Sequence, residues 1–340
     1  MEATAIEGAP RGIFALPNEI LLNIFALFAT RDVVSFAPTC RRVNSLVIRI
    51  LQQRLQVATG LDGHTLYLEC GHPSERWTTS KVFCTPLGTH GLEELVSDVQ
   101  STGGIPGQIG QMGKLYTRFR PVNKEPDFRS VPRPHPAGDI PGSRTYRTPE
   151  QDAAAWKAYT QEAVSRPVNI DAHFLFTQLE TFAYLGRRES TRGLLFSIQD
   201  LCEGTIRVWR DWLSKQCENK RWSDGEIIAV HHEESSNTLN DAQLRNRTDM
   251  LKNPHLDPSV LWLNTRRENV GIKFRVTEKK WRRDNNPVLF ESEVEVPVSY
   301  NVELQEVIVR TTELVFKLEE SKKQILNQTG KAMIFGSYIE

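Results

Sequence analysis

Residues 16–28, which read LPNEILLNIFALF, decide how the chain begins to fold. Pro17 suits the first position of a helix, where its missing N–H has no partner to lose. Glu19 then lies in the first turn, where a negative charge complements the helix dipole. The apolar residues that follow cover more than the single stripe that a surface helix normally shows. The stretch therefore predicts a helix whose apolar surface needs cover from the downstream chain or from a partner protein.

Two further helices are predicted directly downstream. A short one covers about residues 32–37 and is closed by Pro38, which cannot continue a helix. The third begins at about Thr39, and its apolar residues recur at spacings of three and four, which is the period of an amphipathic helix. Three helices of this size bury too little apolar surface to be comfortably stable alone. The apolar positions of the third helix are Val43, Leu46, Val47, Ile50, Leu51 and Leu55.

Four blocks within residues 16–46 resemble the F-box family. They are LPNEIL at 16–21, IF at 24–25, DVV at 32–34 and CRRVNSL at 40–46. The family pattern is Leu-Pro-x-Glu-Ile-Leu, an Ile-Phe pair, an Asp-Leu-Leu-like turn and Val-Cys-Arg-x-Trp-x-x-Leu. This sequence lacks the tryptophan of the last block, and Thr39 replaces the apolar residue before Cys40. The resemblance rests on the order and spacing of all four blocks.

The resemblance implies that residues 12–56 form an F-box that binds the Skp-type subunit of a cullin–RING (SCF) ubiquitin ligase. The protein would be a substrate-recognition adaptor that presents a target protein for ubiquitination. It would not be an enzyme itself, because catalysis would belong to other subunits. The positions that the pattern assigns to partner binding or to the F-box core, without separating the two, are Leu16, Pro17, Glu19, Ile20, Leu21, Ile24, Phe25, Val33, Cys40, Val43 and Leu46.

The longer downstream part, residues 57–320, is predicted to be rich in β-strands. Apolar and polar residues alternate along residues 270–277, 293–300 and 314–318, which is typical of antiparallel strands with one solvent-exposed face. Residues 65–68 also suit a strand, whereas residues 194–217 fit a strand or a helix. The overall prediction is an α+β protein in which a three-helix F-box precedes an antiparallel sandwich or jelly-roll-like domain.

A loop within this larger region and a tail after it complete the predicted organisation. A Pro- and Gly-rich loop covers about residues 101–149, and its five glycines at 101–113 argue against any regular element there. Residues 321–340 form a tail. Residues 207–321 also resemble the C-terminal regions of filamentous-fungal F-box proteins, a resemblance that implies no particular ligand.

Composition narrows the functional classes. The 42 Lys and Arg balance 42 Asp and Glu, so no overall charge attracts the chain to nucleic acid or to an anionic membrane. The most apolar run, residues 20–29, is shorter than the roughly 20 residues that a membrane span needs. Five thinly spread cysteines do not form a disulfide framework, which favours a reducing location in the cytoplasm, the nucleus or both.

Candidate chemical sites are weak, and no metal or other cofactor is predicted. Cys70, His72 and Cys84 could ligate zinc but lack the close Cys-x-x-Cys pairs of zinc ribbons. Adjacent side chains in the HHEE run at 231–234 diverge from one another. The basic stretch 273–283 could contact nucleic acid or a partner, although basic residues that protect a strand edge explain it more simply.

Two rival functions remain open from the sequence. An F-box protein could act outside a ligase as a structural tether. Alternatively, a β-sandwich could bind a glycan by stacking sugars on exposed aromatic rings, for which Trp262 and Trp281 are candidates, although tryptophans more often fill a core.

Overall fold

The structure is a computed structural model of the 340-residue chain. It describes residues 12–75, 81–95, 107–122, 163–188, 195–217, 249–263, 267–281 and 297–327. Most of the predicted Pro- and Gly-rich loop and the HHEE run at 231–234 lie outside these residues.

Three helices form the N-terminal part, as the sequence predicted. They are α1 (Asn18–Ala26), α2 (Thr30–Phe36) and α3 (Arg41–Thr59), and a 3₁₀ turn at Gly12–Ala15 precedes them. Helix α1 buries Leu21 and Phe25 and packs on α3. Helix α3 ends at Thr59, a few residues beyond the predicted F-box boundary at residue 56. Helix α3 carries most of the helical core, because its apolar residues at spacings of three and four are buried.

Within the described residues, nine antiparallel strands form one sheet in the order β6-β5-β1-β2-β3-β9-β8-β7, and β4 pairs with β9 beside β3. This confirms the predicted α+β class with an antiparallel β-rich domain. The strands are β1 (His64–Gly71), β2 (Val82–Thr89), β3 (Tyr116–Val122), β4 (Val164–Ile170), β5 (Phe176–Arg188), β6 (Leu195–Trp209), β7 (Val260–Trp262), β8 (Val270–Trp281) and β9 (Val298–Arg310).

The sheet curls until its two ends approach each other, so it is nearly a barrel rather than two facing sheets. A Cβ atom at Gly204 of β6 would lie only 3.3 Å from the carbonyl oxygen of Leu263, directly after β7. Glycine is suited to this position because it allows the two backbones to approach closely. Trp212 strengthens the closure by donating its indole N–H to the Pro258 carbonyl at 3.0 Å.

The alternating pattern of residues 270–277 is confirmed. Val270, Ile272, Phe274 and Val276 of β8 are each at most 2% exposed. Apolar side chains of β9 continue this core on the neighbouring strand, with which β8 pairs along its length. The interior of the curled sheet is therefore built from the period-two pattern that the sequence shows.

Residues 314–318 are helical, so the strand predicted there is wrong. They belong to helix α5 (Thr311–Asn327). Leu314, Leu318 and Ser321, spaced by four and three, lie on one buried face of this helix. Five residues are too few to separate a period of two from a period of 3.6. The predicted division between domain and tail after residue 320 falls within α5.

Two other segments refine the sequence prediction. A short helix, α4 (Gln108–Met112), interrupts the glycine-rich segment, so the prediction that residues 101–113 hold no regular element is wrong. Its end residues Gln108 and Met112 are buried, and this burial compensates for the low helix propensity of Gly110.

The ambiguous segment 194–217 uses both conformations, because β6 ends at Trp209 and residues 210–217 are helical.

Helix α5 is held against the sheet by a buried hydrogen-bond chain. The Nε2 atom of His64 in β1 lies 2.7 Å from the Ser321 hydroxyl, which in turn contacts the hydroxyl of Ser197 in β6. The His64 Nδ1 atom lies 3.0 Å from the Leu61 carbonyl. Nδ1 therefore carries the proton, and Nε2 accepts from Ser321.

We expect His64 to make the protein less stable in mild acid. Burial lowers the pKa of His64 below 6.5 in the folded protein. Below about pH 6.5 the unfolded chain therefore binds more protons than the folded chain, and the free energy of unfolding falls by up to about 1.4 kcal/mol per pH unit. Urea unfolding at pH 7.5 and 5.5 measures this fall. A smaller fall in His64→Gln is expected, whereas an equal fall would contradict the assignment.

Candidate partner-binding surface

Helix α1 has an inner and an outer apolar face. Pro17, Ile20, Ile24 and Leu27, here called the outer stripe, are spaced by three, four and three, which places them along one side of the helix. Ile20 is 45% exposed and Leu27 is 87% exposed, whereas Leu21 on the inner face is fully buried. The outer stripe is therefore an apolar surface that the rest of the described chain leaves largely uncovered.

The structure divides the eleven predicted site residues into surface and core positions. The buried ones pack within the protein's own core and cannot contact a partner without rearrangement. The exposed residues are Pro17, Glu19, Ile20 and Cys40, the half-buried ones are Leu16 and Ile24, and the buried ones are Leu21, Phe25, Val33, Val43 and Leu46.

Cys40 is exposed, so of the two roles that the pattern leaves open for it, core and partner binding, it does not have the core one. It immediately precedes α3 in an extended conformation, and its Sγ atom accepts a hydrogen bond from the Val43 N–H at 3.5 Å. The side chain therefore caps the helix from the surface instead of filling the space between helices.

Three exposed apolar residues next to the pattern were missed by the sequence analysis. Ile13 and Phe28 are 49% and 42% exposed, and Leu27 completes the outer stripe. Leu27 and Phe28 also line an open groove of about 390 Å³ between the α1–α2 turn and helices α3 and α5. The three-and-four spacing that continues from Ile20 to Leu27 was the available signal.

Arginine side chains hold both ends of α1 in place. At its start, Arg42 donates through Nε to the Asn18 Oδ1 atom at 2.8 Å and through Nη2 to the Leu16 carbonyl at 2.6 Å. At its end, Arg54 donates through Nη2 to the carbonyls of Ala26 and Phe28, which the helix itself leaves unpaired. These bonds give the outer stripe a defined orientation.

Helix α2 receives its N-terminal cap from the other end of the chain. Ala29 occupies the capping position and has no side chain to accept a hydrogen bond. Glu319 of α5 accepts from the Thr30 N–H at 3.0 and 3.2 Å and also from the Thr30 hydroxyl. Arg54 completes the junction with an ion pair to Glu319 at 3.0 Å. The three helices are thus fastened to α5.

The candidate zinc ligands Cys70, His72 and Cys84 are placed as structural residues. Burial raises the pKa of the Cys70 thiol to about 11 and raises the pKa of Cys84 still further. His72 contacts the Ser74 hydroxyl at 2.7 Å. Within the described ranges, no three His, Cys, Asp or Glu side chains are grouped closely enough to hold a metal ion.

Trp262 does not offer an open platform for a sugar ring. One face stacks on His255, with the ring centres 4.4 Å apart, and Tyr116 packs against the indole in a T-shaped arrangement with the ring centres 5.5 Å apart. Gly271 lies against the same indole, because a Cβ atom there would approach the ring to 2.9 Å. In the basic stretch, Lys273 is paired with Asp257 at 2.9 Å. The side chain of Trp281 lies outside the described residues.

Comparison with known proteins assigns the N-terminal helices to a domain family. Residues 13–55 match the family model described as F-box-like. Residues 13–55 therefore form an F-box-like domain. The searches of curated proteins and of solved structures each found no match. The resemblance of residues 207–321 to fungal proteins stays a prediction.

F-box domains generally bind Skp-type subunits and typically act as non-catalytic adaptor modules of SCF-type ubiquitin ligases. In the part of the chain that the structure describes, no helix has the length and apolar character needed to cross a membrane.

Proposed function

We propose that this protein is the substrate-recognition adaptor of an SCF ubiquitin ligase. It binds the Skp-type subunit through the outer stripe and holds a target protein on its β-rich domain. The exposed outer stripe within the F-box-like segment is the observation that carries this proposal. Pro17, Ile20 and Ile24 are the predicted partner-binding residues that remain accessible along this stripe, with Leu16 and Glu19 beside it.

The adaptor role requires no chemistry from this chain. Binding a target beside a ubiquitin-conjugating enzyme raises the local concentration of the reacting groups, which accelerates the transfer. The protein would work in the cytoplasm, the nucleus or both, without nucleic acid, membrane or cofactor. A tether would use the same Skp contact, so the fate of the bound target distinguishes the two functions.

An exposed apolar cluster on the β-rich domain supports a second binding surface. Phe174 and Leu175 in the β4–β5 turn and Trp209 at the end of β6 are 61%, 65% and 48% exposed. The buried Arg210 holds this turn by donating to the carbonyls of Phe174 and Asp171. A rigid turn that presents large apolar side chains suits the hot spots of protein interfaces.

Co-expression with a Skp-type subunit tests the proposal. We expect the full chain and the subunit to co-purify as a one-to-one complex that survives size-exclusion chromatography. Proximity labelling should then identify neighbours in cells, and a neighbour that accumulates when the proteasome is blocked is the expected target. Separate elution of the two proteins would contradict Skp binding. A complex whose neighbours do not change with proteasome activity would instead indicate a tether.

A further inference from the structure

A partly enclosed cavity of about 270 Å³ lies where the F-box-like helices meet α4 and α5. Arg54 and Val315 line both this cavity and the groove beside Leu27. The volume corresponds to about nine water molecules at liquid density. Its apolar lining comes from three parts of the fold and includes Val34, Leu51, Leu55, Ile109, Met112 and Phe316.

Among the described residues, the charged lining of this cavity is basic. It consists of Arg54 and Arg310, and none of the described lining residues is acidic. Arg54 is neutralised by its ion pair with Glu319. Arg310 differs, because the described residues provide it with no carboxylate partner. The cavity thus combines an apolar body with one uncompensated positive charge.

The guanidinium of Arg310 is held in position by an aromatic residue. Its Nη2 atom donates to the Tyr116 hydroxyl at 3.0 Å, and the group lies over the Tyr116 ring, 5.6 Å from its centre. An anionic group in the cavity would meet a guanidinium that Tyr116 already orients, and hydrogen bonds between charged groups are the strong ones.

We propose that this cavity binds a small monocarboxylate with an aliphatic or aromatic body of about ten non-hydrogen atoms, a size that follows from the cavity volume. The body occupies the apolar space, and the carboxylate pairs with the Arg310 guanidinium, which lines the cavity. Charge complementarity selects the carboxylate, since the low polarity of the lining strengthens its attraction to the guanidinium. Such a ligand contacts α2, α3, α4 and α5 together and would stabilise the junction between the two parts of the protein. The proposal does not depend on the ligase function.

Calorimetric titration of the full chain with three probes tests this inference. Octanoate fits the cavity, octanamide has the same size without charge, and butanoate has the charge with a shorter body. We expect octanamide to bind at least about tenfold more weakly than octanoate, and affinity to fall about fourfold per methylene removed. Equal affinity for octanoate and octanamide, or no detectable octanoate binding up to its solubility limit, would overturn the proposal.

Three variants locate the binding. Arg310→Gln should remove the preference for octanoate over octanamide. Ile109→Trp should fill the cavity that Ile109 lines and abolish octanoate binding. Tyr116→Phe is the matched control, because it removes the hydrogen bond to Arg310 and keeps the guanidinium, so the preference should persist. Unchanged octanoate binding in Ile109→Trp would refute the site. If a variant fails to fold, the comparison of the three probes on the unaltered protein decides the proposal.

Discussion

We expect Ile20→Asp combined with Leu27→Lys to abolish the proposed binding to the Skp-type subunit and to leave the free protein folded. Both side chains belong to the outer stripe and are largely exposed, so the folded state loses little packing. In the complex each change replaces a buried apolar side chain by a charge without a partner. Losing about 2 kcal/mol of apolar burial per residue already weakens binding about a thousandfold, before the cost of burying the charges.

The two charges are chosen so that helix α1 itself tolerates them. Asp at position 20 lies in the first turn and Lys at position 27 lies at the C-terminal end, and each sign complements the helix dipole there. Leu256→Lys is the matched control, because Leu256 is 55% exposed on the β-rich domain. Surface plasmon resonance measures the affinity, and thermal melting checks the fold. Unimpaired binding by the double variant would remove the basis for the Skp contact.

Glu319→Gln destabilises the F-box-like helices by about 2–4 kcal/mol, since hydrogen bonds to charged groups contribute about 1.5–3 kcal/mol each and a helix cap about 1 kcal/mol. The carboxylate accepts from the Thr30 backbone and hydroxyl and pairs with Arg54. Its removal weakens the cap of α2 and leaves a partly buried guanidinium without its counter-charge. Amide hydrogen exchange across residues 18–59 and urea unfolding measure the loss.

Glu320→Gln provides the matched control on the same helix. Glu320 forms an ion pair with Lys317 one turn earlier at 3.0 Å, and its side chain is 44% exposed. Exposed pairs of this kind contribute about 0.3–0.5 kcal/mol. We therefore expect hydrogen exchange of the F-box-like helices to be unchanged in this variant. Equal effects of the two substitutions would show that Glu319 acts only through surface charge.

The sequence pattern predicted the three helices but could not assign the apolar residues of α1 to its two faces. Ile20 and Leu21 are adjacent and have similar hydrophobicity, yet one is 45% exposed and the other is fully buried. A helix with apolar residues on several sides contains no internal signal for which side meets its neighbours. The positions of α3 and α5 decide this, and they depend on contacts between distant parts of the chain.

In the β-rich domain, too, the local sequence pattern predicted some features and missed others. Residues 270–277 alternate over four apolar positions, long enough for the period to indicate a strand with one buried face. Residues 314–318 alternate over three, and Leu314 and Leu318 fit one helix face equally well. The curvature of the sheet was also absent from the local pattern. It brings Gly204 close to Leu263, which is far away in sequence.

By itself, the sequence determined the F-box-like helices and the strand character of β8. Both depend on hydrophobic periodicity, which is a local signal that extends over one or two helical turns or along one strand. The tertiary structure alone decided which apolar residues of α1 remain exposed and how α2 is capped. The capping carboxylate of Glu319 is 289 residues away from Thr30 along the chain. Local preferences cannot specify such a pair, since it forms only when helix α5 has folded against the sheet and the F-box-like helices together.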